Sequence, residues 1–129
     1  QMKRDLELVK EILLFFEKRN NDKMIQPKHI IEGSELEISG YDGRLISDHI
    51  NIMYEAGLIE GYADRAQDGR LITVYPTRLT WNGHEFLTAA KNESAWSNFK
   101  DKLKSTSSSI PIKVAETFLL KYIEKEVGI

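Results

Sequence analysis

The stretch from Asp42 to Leu87 sets the tightest constraint on what this chain can fold into. Within it, Ile46, Ile50 and Met53 recur at helical spacing between about Gly43 and Ala56, and Gly57 follows as the residue suited to a left-handed helix exit. Two runs rich in branched and aromatic residues come next, Leu58-Ile59-Glu60-Gly61-Tyr62 and Leu71-Ile72-Thr73-Val74-Tyr75, with the turn-forming pair Asp68-Gly69 between them. Leu79-Thr80-Trp81-Asn82-Gly83 then opens a second helix, capped by Thr80 or Asn82 and expected to bury Trp81, Phe86 and Leu87.

Helix, hairpin and helix in that order form the second half of a winged helix, an architecture that serves DNA binding and protein binding alike. Ahead of it, Leu6, Val9, Leu13 and Phe16 share one helical face and Leu8, Ile12 and Phe15 widen it, so Lys3 to about Arg19 should be one helix. Asn20-Asn21-Asp22-Lys23 ends it. Pro27 can open a short helix through Ile31, while Leu36-Glu37-Ile38 alternates like a brief strand. Asp42 is expected to cap the helix that follows, and Pro76 to confine the second hairpin strand to an edge or to its own end. Beyond Asn92-Glu93, Trp96, Phe99 and Leu103 mark another helix, with Lys100, Lys102 and Lys104 toward its C-terminal end. Ser105 to Ser109 reads as a linker, and Pro111 opens a last helix with Ile112, Ala115, Leu119, Tyr122 and Ile123 on one stripe. The expected fold is α+β and mostly helical. A winged-helix-like domain over 2–90 carries a two- to three-stranded antiparallel sheet, and a helical extension over 91–129 packs on it to make a single folded unit.

Composition narrows the function classes. With no cysteine, disulfides, thiolate catalysis and cysteine-ligated zinc are all excluded, which suits a cytoplasmic protein. The apolar run Ile12-Leu13-Leu14-Phe15-Phe16 is far short of the roughly 20 residues that span a bilayer, so no membrane role is expected. Gln1 reads as a leftover ahead of Met2, the expected natural start. Against 20 acidic residues the chain carries 18 basic ones, a net of -2, whereas dedicated nucleic-acid binders usually carry a basic excess. Residues 42–80 are no more basic: Arg44, Arg65, Arg70 and Arg78 stand against Asp42, Asp48, Glu55, Glu60, Asp64 and Asp68.

Met2-Lys3-Arg4-Asp5-Leu6, then His49 in the helix that leads to Ala56-Gly57-Leu58-Ile59, then Leu79-Thr80-Trp81-Asn82-Gly83-His84-Glu85-Phe86-Leu87 together carry a resemblance. The chain resembles the bacterial and prophage family called domain of unknown function 2513, over nearly its whole length. That resemblance implies a winged-helix-like fold and brings no assigned activity or functional residues with it. A looser similarity connects the same stretch to MarR-like and ArsR-like regulators. In those, a well-formed helix precedes the recognition helix, and here Met24 to Tyr41 offers only a turn or two.

Candidate contacts follow from the helix over Gly43–Ala56. Its core-facing Ile46, Ile50 and Met53 leave Arg44, Ser47, Asp48, Asn51, Tyr54 and Glu55 on the outer side. Arg44 and Asn51 are shaped for bidentate contact with base edges, Ser47 faces the same groove, and Tyr54 can reach phosphate. Arg65 and Arg70 flank the wing tip, where they can grip the DNA backbone or pair with Asp64 and Asp68. The leading expectation is a DNA-binding regulator of prophage type that binds duplex DNA through these six residues. The alternative is a protein-interaction module, an inhibitor or adaptor of a host protein, on the same surface. His29, His49 and His84 show no metal-ligand spacing, and His49 fits a satisfied core imidazole. No phosphate loop, nucleophile elbow or paired carboxylates stand in the sequence, so neither an enzyme nor a cofactor or metal is expected. The wide apolar face of the first helix and the appended helices suggest a homodimer.

Overall fold

A computed structural model of the chain describes residues 5–105 and Thr117. Over residues 5–105, five helices and one hairpin follow in the order α1 (Leu6–Lys18), α2 (Pro27–Glu32), α3 (Gly43–Glu55), β1 (Ile59–Arg65), β2 (Leu71–Leu79), α4 (Trp81–Lys91) and α5 (Glu93–Ser105). The fold is α+β, mostly helical and winged-helix-like. The expected last helix from Pro111, the serine linker beyond Ser105, Met2-Lys3-Arg4 and the side chains of Leu103 and Lys104 lie outside the described residues.

The core forms where the helical stripes meet. Leu8, Val9, Ile12 and Leu13 of α1, Ile46, Ile50 and Met53 of α3, and Phe86 and Leu87 of α4 are all buried, joined by Leu58 and Val74 from the hairpin. Asp5 caps α1, its carboxylate accepting from the N–H groups of Glu7 and Leu8 at 3.0 and 3.2 Å. α5 adds Ala95, Trp96 and Phe99 to the same core, and the Trp96 indole N–H donates to Glu7 of α1 at 3.2 Å. Lys10 sits 4.8 Å from the Trp96 ring centre, so α5 is fastened to α1 by polar contacts as well as burial.

Three expectations change. Leu36-Glu37-Ile38 is not a strand: Leu36 plugs the core, and the chain turns back at Gly40, the Tyr41 N–H donating to Ile38 at 3.1 Å. Among the described residues the sheet therefore has two strands. Asp42 stands at the N-cap of α3 but makes no side-chain bond there. The start of that helix is set by tertiary packing, because a Cβ on Gly43 would lie 2.5 Å from the Ile30 carbonyl oxygen and 2.7 Å from the Ile31 carbonyl carbon. Trp81 is 78% exposed rather than buried. With Thr80 as the cap, its hydroxyl accepting from the Gly83 N–H at 2.9 Å, the inward stripe of α4 is Gly83, Phe86, Leu87 and Ala90. At about 100° per residue, Trp81 points roughly 160° away from Gly83.

The hairpin runs longer than the branched residues alone suggest. Register pairs Ala63 with Val74, Tyr62 with Tyr75 and Gly61 with Pro76, with irregularities at Glu60/Gly61 and Asp64/Arg65. β2 continues through Pro76 because that residue faces the edge remote from β1. Its carbonyl accepts from the Ile25 N–H at 3.0 Å, and it has no N–H to leave unpaired.

Candidate functional site

A winged helix presents two surfaces to a partner, the outer side of its third helix and the wing. On α3 the helix geometry turns Ile46, Ile50 and Met53 inward together with Ser47 and His49, so the exposed part is narrower than the sequence suggests. Ser47 is only 7% exposed, which removes it from the outer face. Asn51 is half-buried, and its carbonyl oxygen accepts from the Val74 N–H at 3.0 Å. That bond ties α3 to β2 and satisfies an edge donor that would otherwise face no partner. Tyr54 is half-buried and packs against the core. What remains on the outer side is Arg44 and Glu55, both exposed, with Asp48 half-exposed between them.

His49 explains why this side of α3 is closed. The imidazole is fully buried, one nitrogen accepting from the Asp5 backbone N–H at 2.9 Å and the other lying 2.9 Å from the Leu45 carbonyl. A backbone N–H can only donate, so Nε2 is the acceptor and Nδ1 carries the proton. The ring is a satisfied core imidazole that links α3 to the start of α1, as the sequence suggests. The Tyr41 phenol, bonded to Asp5, is held above its ordinary value of 10.0, first by burial and then by the charge of Asp5 and that hydrogen bond.

The wing turns over residues 66–70. The Ala66 N–H donates to Arg70 and the Gly69 N–H to Ala66, both at 2.9 Å, and Gly69 takes a φ of +87°. Asp68 accepts from the Arg70 backbone N–H at 3.0 Å, and the Arg65 guanidinium donates to the Gly69 carbonyl at 2.9 Å. Neither arginine pairs with Asp64 or Asp68; the acidic side chain shapes the turn instead. Arg44 and Arg70 are exposed and make no ion pair among the described residues.

The outer face of the hairpin is a further exposed surface, outside the candidate contacts on α3 and the wing. Tyr62 is 67% exposed and sits across from Tyr75. The two tyrosines, Met24 and Thr77 line an open cleft of about 670 Å³, with Asp22 and Lys23 at its rim. Arg78 bridges Glu60 at 2.8 Å and Asp22 at 3.6 Å along one side. The signal available in the sequence was the period-two placement of Glu60, Tyr62 and Asp64 on one strand face.

The family model described as a hypothetical protein, DUF2513, matches residues 3–109. The chain belongs to the DUF2513 family. An uncharacterized protein of Haemophilus influenzae (strain ATCC 51907 / DSM 11121 / KW20 / Rd) is 29% identical over 124 residues, which cover 92% of this chain and 96% of the relative. No solved structure matches. Among the described residues of this DUF2513 protein, no helix is long and apolar enough to cross a membrane.

Proposed function

We propose that this DUF2513 protein is a winged-helix protein-interaction module, an inhibitor or adaptor of a host protein, rather than a reader of base sequence. The observation that carries this reading is the use of the base-reading side chains inside the fold: Ser47 is buried, and Asn51 holds the Val74 N–H. The outer side of α3 then offers Arg44 with Asp48 and Glu55, and two carboxylates against one guanidinium oppose a line of phosphates. The large apolar side chains left in solvent among the described residues, Met24, Ile31, Tyr62, Ile72 and Trp81, are of types favoured in protein interfaces or costly to leave exposed.

Anisotropy of a labelled mixed-sequence duplex, titrated with the protein at low salt and again near physiological salt, tests this. The expected result is no binding at low salt. Salt-sensitive binding would instead favour a second reading, duplex DNA gripped through its backbone by Arg44, Arg65 and Arg70, which is motivated by the exposure of all three guanidinium groups. In that case Arg70→Ala weakens binding to all sequences alike.

A further inference from the structure

The two edges of the hairpin are treated differently. On β2, the Val74 N–H is taken by Asn51, the Pro76 carbonyl by the Ile25 N–H, and proline leaves no donor. Over residues 74–76 that edge therefore offers an added strand no free donor. Because Val74 directs its N–H away from β1, its partner Ala63 directs its own N–H and carbonyl the opposite way, outward from β1, and Gly61 across from Pro76 does the same. Among the described residues nothing donates to or accepts from Gly61 or Ala63 across that edge. Both side chains are small, and Tyr62 between them stands on the outer face, flanked two residues away by Glu60 and Asp64.

We infer that the free edge of β1, at Gly61-Tyr62-Ala63, is a strand-addition site for an extended segment of a partner protein that carries basic residues on either side of an apolar one, at alternate positions. The inference rests on the protein-interaction reading and names the partner's chemistry. An added strand places three of its residues, two apart, beside Glu60, Tyr62 and Asp64 on the outer face, while its backbone pairs with Gly61 and Ala63. Asp64 makes no ion pair among the described residues, and Glu60 shares its one cation, Arg78, with Asp22. The edge therefore presents an unpaired carboxylate on one side of an exposed ring and, on the other, a carboxylate that shares its cation with Asp22, and cations opposite complete it. A second copy of this chain is a poor occupant. Two-fold antiparallel pairing centred on Tyr62 sets Glu60 of each copy against Asp64 of the other, two like-charge pairs.

The test uses the isotope-labelled full chain and two capped peptides, Thr-Lys-Thr-Val-Thr-Lys-Thr and its twin with glutamate in place of lysine. Both are palindromic, so strand direction does not matter. Supporting results are amide shifts concentrated at Gly61–Asp64, slowed hydrogen exchange at Gly61 and Ala63, and binding roughly tenfold tighter for the lysine peptide, since two opposed charge pairs become two like ones in the twin. Ala63→Pro removes the edge donor at a position where proline costs no ladder bond, and should abolish binding. Should that variant fail to fold, Asp64→Lys decides, by erasing or reversing the preference between the peptides. Equal binding of both peptides, binding of neither, or shifts centred on α3 overturns the inference. So does concentration-dependent protection of Gly61 and Ala63 in the protein alone, which would make a second copy the occupant. Salt-sensitive duplex binding defeats the protein-interaction reading separately, through a different ligand and different residues.

Discussion

Replacing Gly83 with alanine should destabilise the protein, although helix propensity alone predicts the reverse. Gly83 lies in the first turn of α4, where alanine ordinarily gains about 1 kcal/mol over glycine. Here the space is already filled. A Cβ at this position would stand 3.1 Å from the Leu58 carbonyl carbon, 3.3 Å from the Leu79 Cβ and inside contact distance of the Leu58 carbonyl oxygen. That oxygen also accepts from the Thr80 N–H at 3.0 Å, so it is fixed backbone and no rotamer change relieves the overlap. Moving the start of α4 outward strains the bond from the Gly83 N–H to the Thr80 hydroxyl, a cap of a kind that contributes about 1 kcal/mol. Overpacking adds about 1–3 kcal/mol. Against the propensity gain, the net loss is about 2 kcal/mol, which moves the urea midpoint down by roughly 1 M for a domain of this size. Equilibrium unfolding followed by far-ultraviolet circular dichroism reads it. Asn82→Ala, exposed in the same turn, is the control and should stay within about 0.5 kcal/mol of the parent. A Gly83→Ala protein as stable as the parent, or more so, would refute the close-approach reasoning.

Three further outcomes are expected. Asn51→Leu removes the acceptor from the Val74 N–H and should cost about 1–3 kcal/mol while speeding exchange of that amide; Asn51→Asp, which keeps an oxygen there, should restore the protection. His49→Leu orphans the Asp5 N–H and should lower stability by a similar amount, roughly 1–3 kcal/mol in a thermal melt; nitrogen spectra of the parent ring should show the proton on Nδ1. Since Tyr41 ionises at higher pH in the folded chain than in the unfolded one, the folded state binds the extra proton above the unfolded value of 10.0. Stability from this group is therefore intact below pH 10 and lost as pH rises through the raised folded value, and Tyr41→Phe should flatten that part of a stability profile measured between pH 9 and 11.

Residues whose role depends on a distant partner are the ones whose role is not legible in the sequence. Asn51 looks like a base-reading side chain because its position on α3 is two turns from Arg44; nothing local reveals that Val74, 23 residues on, needs an acceptor. Asp42 has ideal cap chemistry, yet the packing of α2 against Gly43 sets the helix start instead. Hydrophobicity alone places Trp81 in the core, whereas the register of α4, fixed by the Thr80 cap, turns it outward. His49 was legible because it sits within an apolar stripe, where an imidazole must find internal partners.

By itself the sequence determined the order of elements and their kinds. Apolar period, cap residues such as Asp5 and Thr80, the Gly57 exit at φ +81° and the Asp68-Gly69 turn act within a few residues of each other, so one dimension suffices to read them. Only the tertiary structure decided which polar groups remain free to meet a partner. Satisfying buried and edge backbone donors is a long-range requirement, and the chain meets it by spending Asn51 and His49 inside while closing one hairpin edge over residues 74–76 and leaving the other open.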